Sequence, residues 1–177
     1  MQLVLVRHPQ PEVAPGVCYG STDISTSIEA IAQVAASLRT AGLPGGLPVY
    51  ASPLLRCATL AAALDVPVRL DARLAEMDFG AWEMRAWDAI PRAEVDAWAA
   101  DLLHYRPGGG ESVFDVARRV AAFRAELRHP AALVICHAGT IRLLSALHTG
   151  GSIEQAALCA ASSPHRIGYG DVIVLKD

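Results

Sequence analysis

The chain has 177 residues, of which 53% are hydrophobic and 19% charged, with a formal net charge of −3. That is enough apolar material for a sizeable core, and it excludes a disordered polypeptide. The absence of an overall basic field excludes nucleic acid and anionic membrane as partners, so any anion site must be a local concentration of arginine.

Residues 3–6, Leu-Val-Leu-Val, form a continuous apolar run that reads as a buried strand. Thr26-Ser27-Ile28-Glu29 reads as a capping box. Ile28, Ile31, Ala35 and Leu38 then recur at helical spacing until Gly42 stops the helix. Residues 47–51 are a weaker strand. Ser52-Pro53 puts a cap before a proline at the first helical position and opens a helix to about Leu64. Residues 66–70 are a second weaker strand. Residues 71–111 depart from this alternation. They hold all three tryptophans, Gly80 and the run Gly108-Gly109-Gly110, and read as an inserted, cap-like helical segment over the active edge. Val113, Val116, Val120, Phe123 and Leu127 mark an amphipathic helix. Residues 132–136 are a strand, residues 140–148 a helix ended by Gly150-Gly151, and Ser152 with Gln155 caps a last short helix. Residues 172–175 are the final strand. Strands alternating with helices imply an α/β fold with a largely parallel sheet, in one domain over residues 1–177.

Cys18, Cys57, Cys136 and Cys159 are widely spaced, and no C-x-x-C pair supports a zinc ribbon or a redox motif. Reduced thiols fit a cytoplasmic protein, with Cys136 a small buried hydrophobe. The N-terminus lacks the pattern of a signal peptide, and no apolar stretch is long enough to span a bilayer.

Arg7-His8 follows the first apolar run and His137 follows the run ending at Cys136. If those strands are parallel neighbours, two imidazoles and a guanidinium converge at the carboxyl edge where open α/β sheets place ligands. Imidazole can attack phosphorus to form a phosphohistidine. The attacking nitrogen must be unprotonated, which nearby arginines favour, while the other ring nitrogen donates to a backbone carbonyl. Arg56, one turn into the helix after Ser52, is either an exposed helix arginine or a second guanidinium that clamps phosphate. Glu76 begins an acidic, aromatic segment with Asp78, Phe79, Trp82 and Glu83. A carboxylate beside apolar walls has a raised pKa and suits a general acid.

His137-Ala138-Gly139-Thr140 opens a helix whose free N–H groups suit an anion. The three glycines at 108–110 read as a flexible loop. Ser112 caps the next helix with Asp115, or else joins Glu111 in the site; the sequence leaves both readings open. His104, His129, His148 and His165 lack metal-ligand spacing and read as structural or solvated.

These residues resemble the histidine phosphatase superfamily, the phosphoglycerate-mutase-like enzymes. Val6-Arg7-His8 matches that family's opening motif, with Pro9 in place of glycine. Ser52-Pro53-Leu54-Leu55-Arg56, the segment from Glu76 to Glu83, Gly110-Glu111-Ser112 and His137-Ala138-Gly139 match the later ones in the family's order. Met84 stands where the family has glycine. The resemblance implies a three-layer α/β sandwich with a mostly parallel sheet. It implies His8 as phosphorylated nucleophile, Arg7, Arg56 and His137 as phosphate pocket, Glu76 as proton donor, and neither metal nor cofactor. The segment Gly16-Val17-Cys18-Tyr19-Gly20-Ser21-Thr22-Asp23 is similar to the α-ribazole phosphatase group. This adds Tyr19 and Thr22 as substrate-binding residues, and Ala138 at the helix opening after His137 is a third. The expected partner is a small phosphorylated metabolite, and a homodimer is left open. A mutase is the alternative enzyme, disfavoured by the short chain; a non-catalytic phospho-ligand module is the alternative class.

Overall fold

The computed structural model describes residues 1–42, 45–164 and 166–176. Its sheet consists of β1 (Gln2–Arg7), β2 (Val49–Ala51), β3 (Val68–Leu70), β4 (Ala131–Cys136) and β5 (Val172–Leu175), in spatial order β3-β2-β4-β1-β5. All pairings are parallel except β1 with β5. Side chains alternate between two layers, as pleated strands require. Val4, Val6, Leu133 and Ile135 meet α1 (Ile28–Thr40) and α2 (Leu55–Ala62). Leu3, Leu5, Val134 and Cys136 meet α4 (Val113–Glu126), α5 (Ala138–His148) and α6 (Ile153–Ser162) on the other face. Leu3, Val4, Leu5 and Val6 are all fully buried. At roughly 1.5–3 kcal/mol for each large apolar side chain, this one strand contributes as much as the net stability of a typical domain, which pins its register.

Several boundaries differ from the sequence expectation. Thr26 forms an antiparallel bridge with Pro11, so the cap of α1 passes to Ser27, whose hydroxyl accepts from Ala30 N. Ile28 points to solvent, and Ala35 and Leu38 make the buried face. α2 starts at Leu55 rather than Pro53, because Asp23 from a distant loop accepts Leu55 N at 2.6 Å and sets the start; it ends at Ala62. β5 is an edge strand with Val172 and Val174 partly exposed, so its apolar run does not reflect cover on both faces. The caps Ser112–Asp115 and Ser152–Gln155 form as expected. His148 ends α5 and His104 packs edge-on against Phe114; His165 lies outside the described residues.

The stretch 71–111 contains 3-10 turns at Ala72–Leu74, Gly80–Trp82, Trp87–Ala89 and Pro107–Gly109, and the helix α3 (Arg92–Ala100). Cys18, Trp82 and Ile90 form a small core of their own with Phe79, Val95, Trp98 and Tyr105. Gly108 and Gly110 are not a flexible loop. A Cβ on either would stand 2.2 Å from a backbone oxygen of Phe79 or Asp78, so glycine is required where two backbones cross.

Candidate active site

Because β1 and β4 are adjacent and parallel, Arg7 pairs with Cys136 and His8 N donates to Cys136 O at 3.0 Å. The chain leaves β1 towards the α1–α2 face and leaves β4 towards the α5 face. Connections that diverge between neighbouring strands open a crevice at their carboxyl ends. The His8 and His137 rings lie there, 5.0 Å apart between centroids. His8 Nδ1 faces the Pro9 carbonyl at 2.7 Å. Only an N–H can face a carbonyl, so this contact places the proton on Nδ1 and leaves the lone pair on Nε2. Pro9 lacks a backbone N–H, yet its carbonyl orients the ring.

Arg7 and Arg56 flank His8 on the wall of one cavity of about 460 Å3. Arg56 is fully buried; Nη1 donates to Thr22 O at 2.8 Å and Nη2 to Gly20 O. Arg7 Nη1 donates to Ile167 O, and its guanidinium lies 4.0 Å over the Tyr169 ring. The Nε atoms of both arginines are buried with no hydrogen-bond partner among the described residues. Unpaired buried donors cost free energy.

Glu76 lines the same cavity. One backbone N–H holds each of its oxygens: Met77 N on Oε1 at 3.0 Å and Gly139 N on Oε2 at 3.2 Å. A Cβ at position 139 would stand 2.5 Å from Glu76 Oε1, so Gly139 makes room for the carboxyl group. Beneath it, Arg119 donates to the carbonyls of Arg73, Ala75 and Glu76 and forms a bidentate pair with Glu111. Glu111 also accepts Asp78 N. Glu111 therefore braces the Glu76 segment, and Ser112 is spent on its cap.

The remaining expected residues divide. Ala138 and Tyr19 line the cavity, and Tyr19 Oη meets Tyr169 Oη at 2.8 Å. Burial first, then that hydrogen bond, raises the Tyr19 phenol above its ordinary pKa. Thr22 is spent elsewhere: its hydroxyl and N–H both donate to Glu83, which also accepts Gly20 N, Ser21 N and Phe79 N. Burial pushes the Glu83 carboxyl up, but these bonds outweigh it and hold it below its ordinary value. His137 is fully buried, with Nε2 at 2.8 Å from Ser52 Oγ and 3.5 Å from Cys57 Sγ. Tyr169, Arg119 and the second use of Ser52 were not found from the sequence. The two glycines flanking Tyr169 are the one local signal, and they indicate a turn rather than a site.

Desolvation, with Arg56 and Arg7 adding to it, lowers the His8 pKa to about 3. Desolvation, then His8 and Arg56, takes His137 well below 6.5. Both imidazoles are neutral in the folded state, while the unfolded chain takes up protons below about 6.5. Stability is then fully present above pH 6.5 and falls with pH until His8 itself protonates near 3. At about 1.4 kcal/mol per pH unit, His8 alone is expected to remove about 2 kcal/mol between pH 7 and pH 5, and His137 adds to the loss in the same direction. Urea unfolding at pH 7, 6 and 5 measures this. Constant stability across that range would mean that the imidazoles protonate in place.

The profile of the histidine phosphatase superfamily (branch 1) matches residues 3–165. The chain belongs to that superfamily. A bifunctional protein of Mycobacterium tuberculosis is 32% identical over 156 residues, covering 81% of this chain and 43% of its own length. The adenosylcobalamin/alpha-ribazole phosphatase of Escherichia coli is 33% identical over 96 residues, 50% of this chain and 47% of its own. The chain thus spans less than half the length of the first curated relatives it matches. The crystal structure of the alpha-ribazole phosphatase from Shigella flexneri superimposes with a TM-score of 0.82 at 27% identity, covering 99% of this chain and 90% of that one. The three-layer α/β arrangement is that of the phosphoglycerate-mutase-like enzymes. Among the described residues, no helix is long and apolar enough to cross a membrane, and no group of three or more histidine, cysteine, aspartate or glutamate side chains is placed to hold a metal ion.

Proposed function

We propose that this histidine phosphatase is a metal-independent phosphomonoesterase that works through a phosphohistidine at His8. The observation that carries this reading is a neutral His8, with its Nε2 lone pair free, between two arginines whose buried Nε–H groups lack partners. His8 Nε2 attacks phosphorus and the ester P–O bond breaks, with the acid form of Glu76 giving its proton to the leaving alkoxide. Glu76 then takes a proton from water, hydroxide displaces the imidazole, and hydrogen phosphate departs. Arg7 and Arg56 supply fixed positive charge to the phosphoryl oxygens, and His137, whose ring lies 5.0 Å from that of His8, completes the phosphate pocket. The substrate is a small phosphorylated metabolite. α-Ribazole 5′-phosphate is the leading candidate, supported by the named relatives and by Tyr19 on the loop beside the nucleophile.

A competition in the presence of chelator tests both parts. α-Ribazole 5′-phosphate is set against 3-phosphoglycerate, fructose 2,6-bisphosphate and nucleoside monophosphates. A preference of at least about tenfold in kcat/KM, some 1.4 kcal/mol in the barrier, is expected. Another ester winning would remove the ribazole assignment and leave the phosphatase standing. Activity lost on chelation and restored by a divalent cation would remove metal independence.

A further inference from the structure

Beyond the phosphate end, the cavity changes character. Its body is walled by Val17, Phe79, Trp87, Trp98, Leu102 and Leu143. Among the described residues the same cavity is also lined by Arg142, whose Nη2 already donates to Ser163 O, besides the charged groups Arg7, Arg56 and Glu76 named above. Phe79 stands edge-on to both Trp87 and Trp98, with centroids 5.9 Å apart in each case. The indole rings of Trp87 and Trp98 are 8° from parallel, with centroids 6.3 Å apart. Trp87 nevertheless remains 40% exposed. Together with Phe79 and Trp98 it gives the cavity a contiguous aromatic face, of the kind that marks a binding groove.

Two physical arguments choose the ligand. A volume of about 460 Å3 is in the range of sites for drug-sized molecules and far exceeds what a phosphate with a three-carbon alcohol would fill. More of the lining is apolar than polar, so an alcohol half made mostly of hydroxyls would leave some of them unpaired, which is costly. A flat apolar ring loses no hydrogen bond and gains ring-to-ring contact with the aromatic cluster.

We propose that the body of this cavity is a specificity subsite for a flat, apolar aromatic group carried by the alcohol half of the phosphomonoester, with Phe79, Trp87 and Trp98 as its walls. The proposal rests on the phosphatase reading for its substrate, and on the cavity alone for its ligand. The test compares 2-naphthylmethyl phosphate with glycerol 3-phosphate and 3-phosphoglycerate. All three esters release an alcohol at a primary carbon, so the large reactivity advantage of an aryl leaving group is absent and the ratio reports the subsite. The wild-type protein is expected to favour the naphthylmethyl ester by at least about tenfold in kcat/KM. That ratio should collapse in Trp98→Ala and in Trp87→Ala; the latter removes a side chain that is 40% exposed. 2-Naphthylmethanol should bind the wild-type protein by calorimetry and lose binding in both variants. Turnover of all three esters without preference, or a preference for a glycerol ester, overturns the subsite and leaves the phosphatase reading intact. If no ester is turned over, calorimetry still decides: naphthylmethanol bound through Trp98 supports the subsite, and no binding overturns it.

Discussion

His8→Ala is expected to lower turnover by at least about a thousandfold, some 4 kcal/mol in the barrier, and to abolish covalent labelling. Rapid acid-free quenching of the wild-type protein with labelled substrate should trap phosphate that survives base and is released by acid, as a phosphorus–nitrogen bond is. The reason lies in the ring's surroundings. Pro9 O fixes the proton on Nδ1, and burial with two adjacent guanidinium groups keeps Nε2 unprotonated down to about pH 3. No other described side chain on the cavity wall combines a free nitrogen lone pair with both arginines. A His8→Ala protein that keeps near-normal activity would show that water attacks directly and that His8 is a bystander.

Glu76→Gln should reveal its role through leaving-group dependence rather than through the size of the loss. A well-placed acid contributes on the order of a hundredfold to ten-thousandfold. That full loss is expected for esters of alkyl alcohols, whose alkoxides need a proton as they depart. p-Nitrophenyl phosphate, whose phenolate leaves unaided, should be affected far less. The amide preserves shape, and its one oxygen can keep either the Met77 N or the Gly139 N contact but not both, which limits structural collapse. Equal losses on both kinds of ester would assign Glu76 to binding or stability instead.

The site was legible in the sequence wherever a residue's position follows from local pattern. Arg7, His8 and His137 each sit at the end of a short apolar run, and the end of a buried strand is a definite place in an α/β fold. The caps at Ser112 and Ser152 depend on residues three positions apart and form as the spacing implies. The start of α2 was misplaced because Asp23, 32 positions away, sets it. Glu111, left open by the sequence, became a brace once Arg119 was seen to hold both it and the carbonyls below Glu76.

By itself the sequence determined the alternation of strands and helices, the apolar character of β1 and β4, and the set of groups able to do phosphate chemistry. These follow from period, propensity and side-chain chemistry over a few neighbouring residues. Only the tertiary structure decided that β4 inserts between β1 and β2, which brings His137 beside His8. It alone spent Thr22 on Glu83, set Tyr169 over Arg7, and stacked Trp87 with Trp98 along the cavity. Such contacts join residues from about ten to more than a hundred positions apart, and hydrogen bonds and ring contacts act through space over a few ångströms. Local sequence carries no trace of them until burial of the apolar faces has fixed the sheet order and brought the loops together.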